Sequence, residues 1–223
     1  MSGAAVLHFA SERLLLDPAG AIFWPARRLL AVADLHFEKG SAAARQGALL
    51  PPWDTRATLD VLATLLRRYG PETVVALGDT FHDDGGAARL QRQDAARLAA
   101  MAADFDFVWV TGNHDKLPSG LRGASVEEFR DGKLVFRHQG APGRVVGEFC
   151  GHHHPKAAVP VRGTVVTRPC FMTDPRRLML PALGAYTGGL DVGHPEIRAL
   201  FPGGGRAFLL GKDRLFSFAV GRH

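Results

Sequence analysis

Cysteine is scarce: the 223 residues contain only Cys150 and Cys170. Two cysteines cannot make the disulfide framework of a small secreted domain, and they read as reduced thiols in a cytoplasmic protein. The opening MSGAAVLHFASERLLLD has no basic stretch followed by a long apolar run, so no secretory leader is expected. No segment approaches the ~18 uninterrupted apolar residues of a membrane span. Internal repeats, low-complexity tails and blocks of like charge are also missing, which argues against a solenoid or a disordered charged arm. A soluble chain folded as one α/β domain over residues 1–223 is expected.

The formal charge is +5 and the sequence pI about 9.7. A basic balance suits a polyanionic partner such as nucleic acid. Arginine supplies 22 of the 27 basic residues in a chain also rich in Ala, Gly and Pro, so genomic bias accounts for the charge equally well.

Short apolar runs alternate with helical patterns in the first half. Leu29–Ala33 is a buried-strand run ending in Asp34-Leu35-His36. Asp54 is placed as the N-cap of a helix reaching Tyr69, with Leu59, Leu62, Leu65, Leu66 and Tyr69 on one face, stopped by Gly70 and Pro71. Thr73–Leu77 is a strand ending in Gly78-Asp79. A second helix is expected over Ala87–Ala103, and a third strand over Phe105–Val110, ending in Thr111-Gly112-Asn113-His114-Asp115. Beyond this the pattern is mostly β, with strands at 133–137, 145–150, 164–171, 178–180, 207–210 and 215–220. Polar residues thus collect where strands end, and in open α/β sheets the carboxyl ends of strands form the ligand crevice.

Five motifs carry those residues: Asp34-Leu35-His36, Gly78-Asp79, Gly112-Asn113-His114-Asp115, His138 and Gly151-His152-His153-His154. Any one alone is commonplace; five in this order at strand ends point to two metal ions. Asp79 is the natural shared carboxylate, because two cations ~4 Å apart need one between them. One ion would take Asp34, His36 and His154, the other Asn113, His138 and His152. Oxygen and imidazole donors without thiolate suit Mn, Fe or Zn better than a soft-ligand metal. Strand alternation would put the members of Asp34-x-His36 and of His152-x-His154 on one side of an extended chain, with His153 turned away. Gly78, Gly112 and Gly151 would permit tight turns beside the metals.

The series resembles the calcineurin-like metallophosphoesterase superfamily. That resemblance implies a layered α/β (α+β) sandwich of two β-sheets flanked by helices, with a dimetal site at the strand ends. The segment after Asp79 lacks the Asp-Arg pair of Ser/Thr protein phosphatases. With His82 three residues on, it looks like the recombination-repair nucleases of the superfamily. Longer blocks are similar to the bacterial ligase-associated DNA damage response endonucleases: Phe23-Trp24-Pro25, ADLHFEKGSAAARQGALLPPWDT (33–55), LGDTFHD (77–83), GHHHPKA (151–157), RPCF (168–171) and LGAYTGGLDV (183–192). This implies a Mn-dependent endonuclease acting on DNA, single-stranded by preference, beside a DNA ligase and a helicase in repair.

The expected reaction is in-line hydrolysis of a phosphodiester by a metal-activated water. His114 is the candidate general acid for the leaving oxygen, and His82 a second imidazole that contacts phosphate or supports His114. Asp83 or Asp115 could orient an imidazole. Lys39, Lys156 and Arg168 are candidate phosphate contacts, with a solvated surface the equal alternative. Trp24 and Trp53 could stack bases, but packing is the commoner use of tryptophan. Cys150 reads as a small apolar strand residue, and His8, His194 and His223 as isolated. The same metals would also serve a hydrolase of nucleotides or cyclic nucleotides, and some superfamily members are non-catalytic scaffolds.

Overall fold

Alternation of inward and outward positions starts at Ala5–Phe9 (β1) and Glu12–Leu16 (β2), which pair antiparallel and turn Phe9, Leu14 and Leu16 inward. The computed structural model describes residues 3–113, 117, 120–143 and 145–221. Ile22–Trp24 (β3) continues the meander, and a single 3-10 turn at Pro25–Arg27 leads to Leu29–Ala33 (β4). This N-terminal meander lies outside the strands expected from the sequence, because its segments are only three to five residues long.

From β4 the connections become right-sized for helices. Lys39–Arg45 (α1) and Asp54–Tyr69 (α2) lead to Thr73–Leu77 (β5); Gly86–Arg89 (α3) and Arg92–Asp104 (α4) lead to Asp106–Val110 (β6), followed by Ala124–Val126 (β7). Strands β4 to β7 pair in parallel, which requires such crossovers. The single helix expected over Ala87–Ala103 is instead two. Leu90 (ψ 125°) and Gln91 (ψ 140°) are extended, and the break leaves Arg89 bonded to Ser41 and Asp83. Asp54 is the first helical residue and not the N-cap, which is Trp53; its carboxylate accepts the Gly40 N–H. Gly70 ends α2 in the left-handed conformation (φ 49°), as its position suggests.

The second sheet comprises Glu128–Asp131 (β8), Leu134–Arg137 (β9), Glu148–Cys150 (β10), Lys156–Val161 (β11), Thr164–Thr173 (β12), Arg177–Met179 (β13), Gly205–Leu210 (β14) and Leu215–Val220 (β15), with Pro195–Leu200 (α5) before β14. Its order is β15-β14-β12-β13-β10-β9-β8, with β11 on β12. The strand expected over 145–150 begins only at Glu148, after Gly147 at φ 73°.

Burial explains the layering. Leu29, Ala31, Ala33, Val75 and Leu77 face Phe136, Phe149, Phe171 and Leu178 of the second sheet. Their alternating neighbours Leu30, Val32, Val74 and Ala76 face Leu59, Leu62, Leu65 and Leu66 of α2 and Leu98 of α4. Strands covered on both faces become continuous apolar runs, and each buried Leu or Val contributes about 1.5–3 kcal/mol. A third cluster packs the outer face of the second sheet on α5 through Cys150, Cys170, Met172 and Ile197. Two β-sheets flanked by helices are thus the architecture of the chain.

Candidate metal centre

The carboxyl ends of β4, β5, β6, β9 and β10 are followed by Asp34 and His36, Asp79, Asn113, His138, and His152 and His154. The two sheets bring these seven side chains together. Ligand atoms of Asp34, His36 and His154 lie within 4.8 Å of one another, and so do those of Asp79, His138 and His152. Asn113 joins the second group, its Oδ1 2.8 Å from His138 Nε2, and His152 Nδ1 is 3.0 Å from the same nitrogen. Asp79 Oδ2 reaches both groups, 3.8 Å from His36 Nε2 and 3.5 Å from His138 Nε2.

These contacts fit cations better than hydrogen bonds. His36 Nε2 and His154 Nε2 face each other at 3.1 Å, and Asp34 Oδ1 is buried without a hydrogen-bond partner. Two donors about 2.1 Å from one ion, at right angles, stand about 3 Å apart, which is the spacing seen here. The outer nitrogens are also placed. His138 Nδ1 is 3.1 Å from the Leu77 carbonyl, an arrangement that holds a proton on Nδ1 and leaves the Nε2 lone pair facing inward. His36 Nδ1 meets His82 Nδ1 at 3.4 Å, and His152 Nε2 meets the Gln139 amide at 2.9 Å.

The backbone that achieves this is not extended. Asp34 (φ 53°), His36 (φ 44°), Asp79 (φ 42°), His152 (φ 67°) and His154 (φ 46°) all adopt left-handed conformations. The pairs in Asp34-x-His36 and His152-x-His154 therefore converge through kinked segments and not through strand alternation. Such residues cost about 1–3 kcal/mol each and are held only where the surroundings over-determine them. Here Asp34 Oδ2 accepts the His152 N–H, and Asp79 Oδ1 accepts the Asn113 N–H. Of the three glycines, only Gly78 needs a positive φ (73°). Gly112 and Gly151 are required by close approach: a Cβ would stand 2.1 Å from Asp79 Oδ1 and 2.5 Å from Asp34 Oδ2 respectively.

Burial sets the charge state. Desolvation pushes the His36 pKa down to about 3, against the pull of Asp34 and with help from His154, Lys39 and His82. Burial likewise lowers His152 and His153. Neutral imidazole is the form that ligates a metal.

Other residues divide. His114, Asp115 and His223 lie outside the described residues. His82 is half-buried against His36. Burial would raise the Asp83 pKa, but the Arg89 hydrogen bond and charge, the Gly85 N–H and the nearby His82 hold it low. His153 turns toward Glu196, 3.6 Å away. His194 N-caps α5, and His8 is exposed on β1. Lys39 opens α1, and Lys156 donates to the Thr187 carbonyl. Arg168 stands exposed on β12 opposite Ala157, drawn into neither cluster. Cys150 and Cys170 are free and buried. Trp24 is buried with its indole N–H on Glu12, whereas Trp53 is exposed. Gln139 is the contributor that motif reading misses, and its only signal is adjacency to His138.

Comparison with known proteins agrees with this geometry. The calcineurin-like phosphoesterase family profile matches residues 27–169. The solved structure of Pseudomonas putida nuclease MPE is similar, with a TM-score of 0.75 and 26% identity over 96% of this chain and 100% of that chain. Yfce, a phosphoesterase from E. coli, aligns with a TM-score of 0.42 and 16% identity over 86% of this chain and 99% of that one. No curated protein matches the chain. The matched residues are more than half of the sequence and contain every member of both clusters, and the chain belongs to the calcineurin-like phosphoesterase family.

Proposed function

We propose that the protein is a dimetal phosphodiester hydrolase that cuts single-stranded DNA internally. The observation that carries this reading is likeness over nearly the full length of both chains to a nuclease, Pseudomonas putida nuclease MPE. The blocks shared with ligase-associated repair endonucleases support a place in DNA repair beside a ligase and a helicase.

Asp34, His36 and His154 would hold one ion and Asn113, His138 and His152 the other, with the Asp79 carboxylate between; Mn is the preferred metal. When bound, such ions act as Lewis acids toward phosphate and lower the pKa of water. The protein's own groups set up that chemistry. The Leu77 carbonyl fixes the His138 tautomer. With its proton on Nδ1, toward His82 Nδ1, His36 would have Nε2 free to ligate. Gln139 Nε2 lies 2.9 Å from His152 Nε2, and with the amide turned over its oxygen would accept from His152 Nε2–H and leave the His152 Nδ1 lone pair inward. His114 delivers a proton to the leaving oxygen.

The test is nicking of circular single-stranded DNA in Mn²⁺, with Asp79→Asn as control. Nicking by wild type alone is the expected result. Metal-replete wild type that leaves the circle intact but hydrolyses a nucleotide or cyclic nucleotide would replace this reading with the small-molecule one. Retained activity in metal-replete His114→Ala would remove the general-acid role.

A further inference from the structure

Two segments that carry an exposed aromatic residue are tied by hydrogen bonds to the chain around Asp34 and His36. Residues 46–53 join α1 to α2 and are exposed at every position, with Leu49 92% and Trp53 59% accessible. The segment is anchored at its ends, where the Glu38 N–H donates to Thr55 Oγ1 and the Gly40 N–H to Asp54. Contiguous exposed apolar side chains of this kind mark an interaction surface.

The second segment, 184–190, is tied to the site itself. The Gly184 N–H donates to the Asp34 carbonyl, the Ala185 N–H to Thr58 Oγ1 on α2, and Lys156 Nζ to the Thr187 carbonyl. Within it Tyr186 is held at φ 60° with its ring in solvent. A bulky side chain rarely adopts that backbone, and the anchored neighbours impose it without burying the ring.

Two cations stand beside these segments. Lys39 follows His36 by three residues and Lys156 follows His154 by two, and the two ammoniums are close enough to repel each other. Lys39 feels the Asp54 carboxylate as well as Lys156, and the polar contact of Lys156 is to the Thr187 carbonyl. The cleft beside the other cluster is less favourable to a polyanion, since Glu127 and Glu128 line it together with Arg137.

Half-buried ammoniums on the segments tied to exposed aromatic residues match one ligand chemistry: phosphates for the cations and base faces for the rings. We infer that Trp53 and Tyr186 stack bases of a single strand whose phosphates are held by Lys39 and Lys156, on the Asp34, His36 and His154 side of the cut. The inference rests on the nuclease reading above and adds a basis for strand selection. In a duplex the base faces are already stacked, so the rings engage only unpaired nucleotides.

The test uses the full chain in Mn²⁺ with two fluorescent phosphorothioate oligonucleotides of equal charge, dT12 and its abasic counterpart. Wild type should bind dT12 about tenfold more tightly or better. Trp53→Ala should lower dT12 affinity about tenfold and leave abasic affinity unchanged, with Trp53→Phe restoring most of the loss. Tyr186→Ala should act in the same direction. Lys39→Ala and Lys156→Ala should weaken both oligonucleotides alike, each reducing the salt slope by about 0.7. Wild-type dT12 affinity in Trp53→Ala and Tyr186→Ala, with wild type still nicking circles, would overturn the platform and leave the nuclease standing. Neither binding nor nicking by wild type would remove the nuclease reading and the platform together. Loss of self-association in Trp53→Ala, with dT12 affinity intact, would reassign the loop to a contact between copies of the chain.

Discussion

At Gly151 and Gly112 a single hydrogen separates a working site from a blocked one. A methyl at Gly151 would stand 2.5 Å from Asp34 Oδ2 and 2.9 Å from the Ala33 methyl. Both lie on a buried segment that cannot retreat. Gly151→Ala should therefore lose metal on the Asp34 side, read as a Mn stoichiometry falling from two toward one, with the circular dichroism spectrum unchanged. Two tightly bound ions in that variant would count against Asp34 as a ligand. Gln139 tests the opposite cluster. Its amide is the partner of His152 Nε2, and outer partners of this kind are worth roughly 10–100-fold in metal affinity. Gln139→Leu should weaken Mn binding by about that factor in a titration, and Gln139→Glu should restore it.

Gln139 was not legible in the sequence, whereas the clustered Asp and His residues were, because the chemistry demands particular side chains. Conformation was not. No pattern of residue types announces that Asp34, His36, Asp79, His152 and His154 are all left-handed. That follows from hydrogen bonds between segments more than 100 residues apart, such as His152 N–H to Asp34. The same holds for Asp54, whose type suggests an N-cap but whose carboxylate is taken by Gly40 from a neighbouring segment.

Among the elements, the runs at β4 and β5 were readable because burial on both faces leaves no polar alternation to confuse the period. The second sheet was harder: β8 and β11 lay outside the expected strands, and β10 and β13, though expected, are three residues each and are held from outside. Arg177, buried on β13, pairs with the buried Glu148 of β10 and donates to the carbonyls of Leu200 and Ala141. One guanidinium thus ties two strands, the 141 turn and the end of α5. Arg177→Met would leave Glu148 buried with the Ala141 N–H and the more distant Arg137, at 3.5 Å, as partners among the described residues. A buried ion that loses its partner costs about 3–5 kcal/mol. Urea unfolding should show a loss of that size, and adding Glu148→Gln should recover much of it. A change under about 1 kcal/mol would mean the pair does not hold the sheet.

For the whole molecule, burial of ionisable groups on both sides of neutrality sets a window of stability. His36, driven to about 3 chiefly by desolvation, stays neutral in the fold where the unfolded chain, at its ordinary 6.5, takes up a proton. The unfolded state then binds more protons between those values, so stability is lost as pH falls below 6.5. His152 and His153 shift the same way. The thiols act from the other side. Burial pushes Cys170 up to about 12 and Cys150 higher still, from an ordinary 9.0. The folded thiols hold protons that the unfolded chain releases, so stability is lost as pH rises above 9, by about 1.4 kcal/mol per thiol for each unit. Metal-free protein unfolded in urea at pH 5, 7.5 and 10 should be most stable at 7.5. Cys150→Ala with Cys170→Ala should flatten the alkaline side relative to pH 7.5, and Mn²⁺ should raise stability at pH 7.5 more than at pH 5, because protons compete for the same imidazoles. Equal stability at 7.5 and 10 in the wild type would show that the two thiols are not sequestered from solvent as the third core cluster requires.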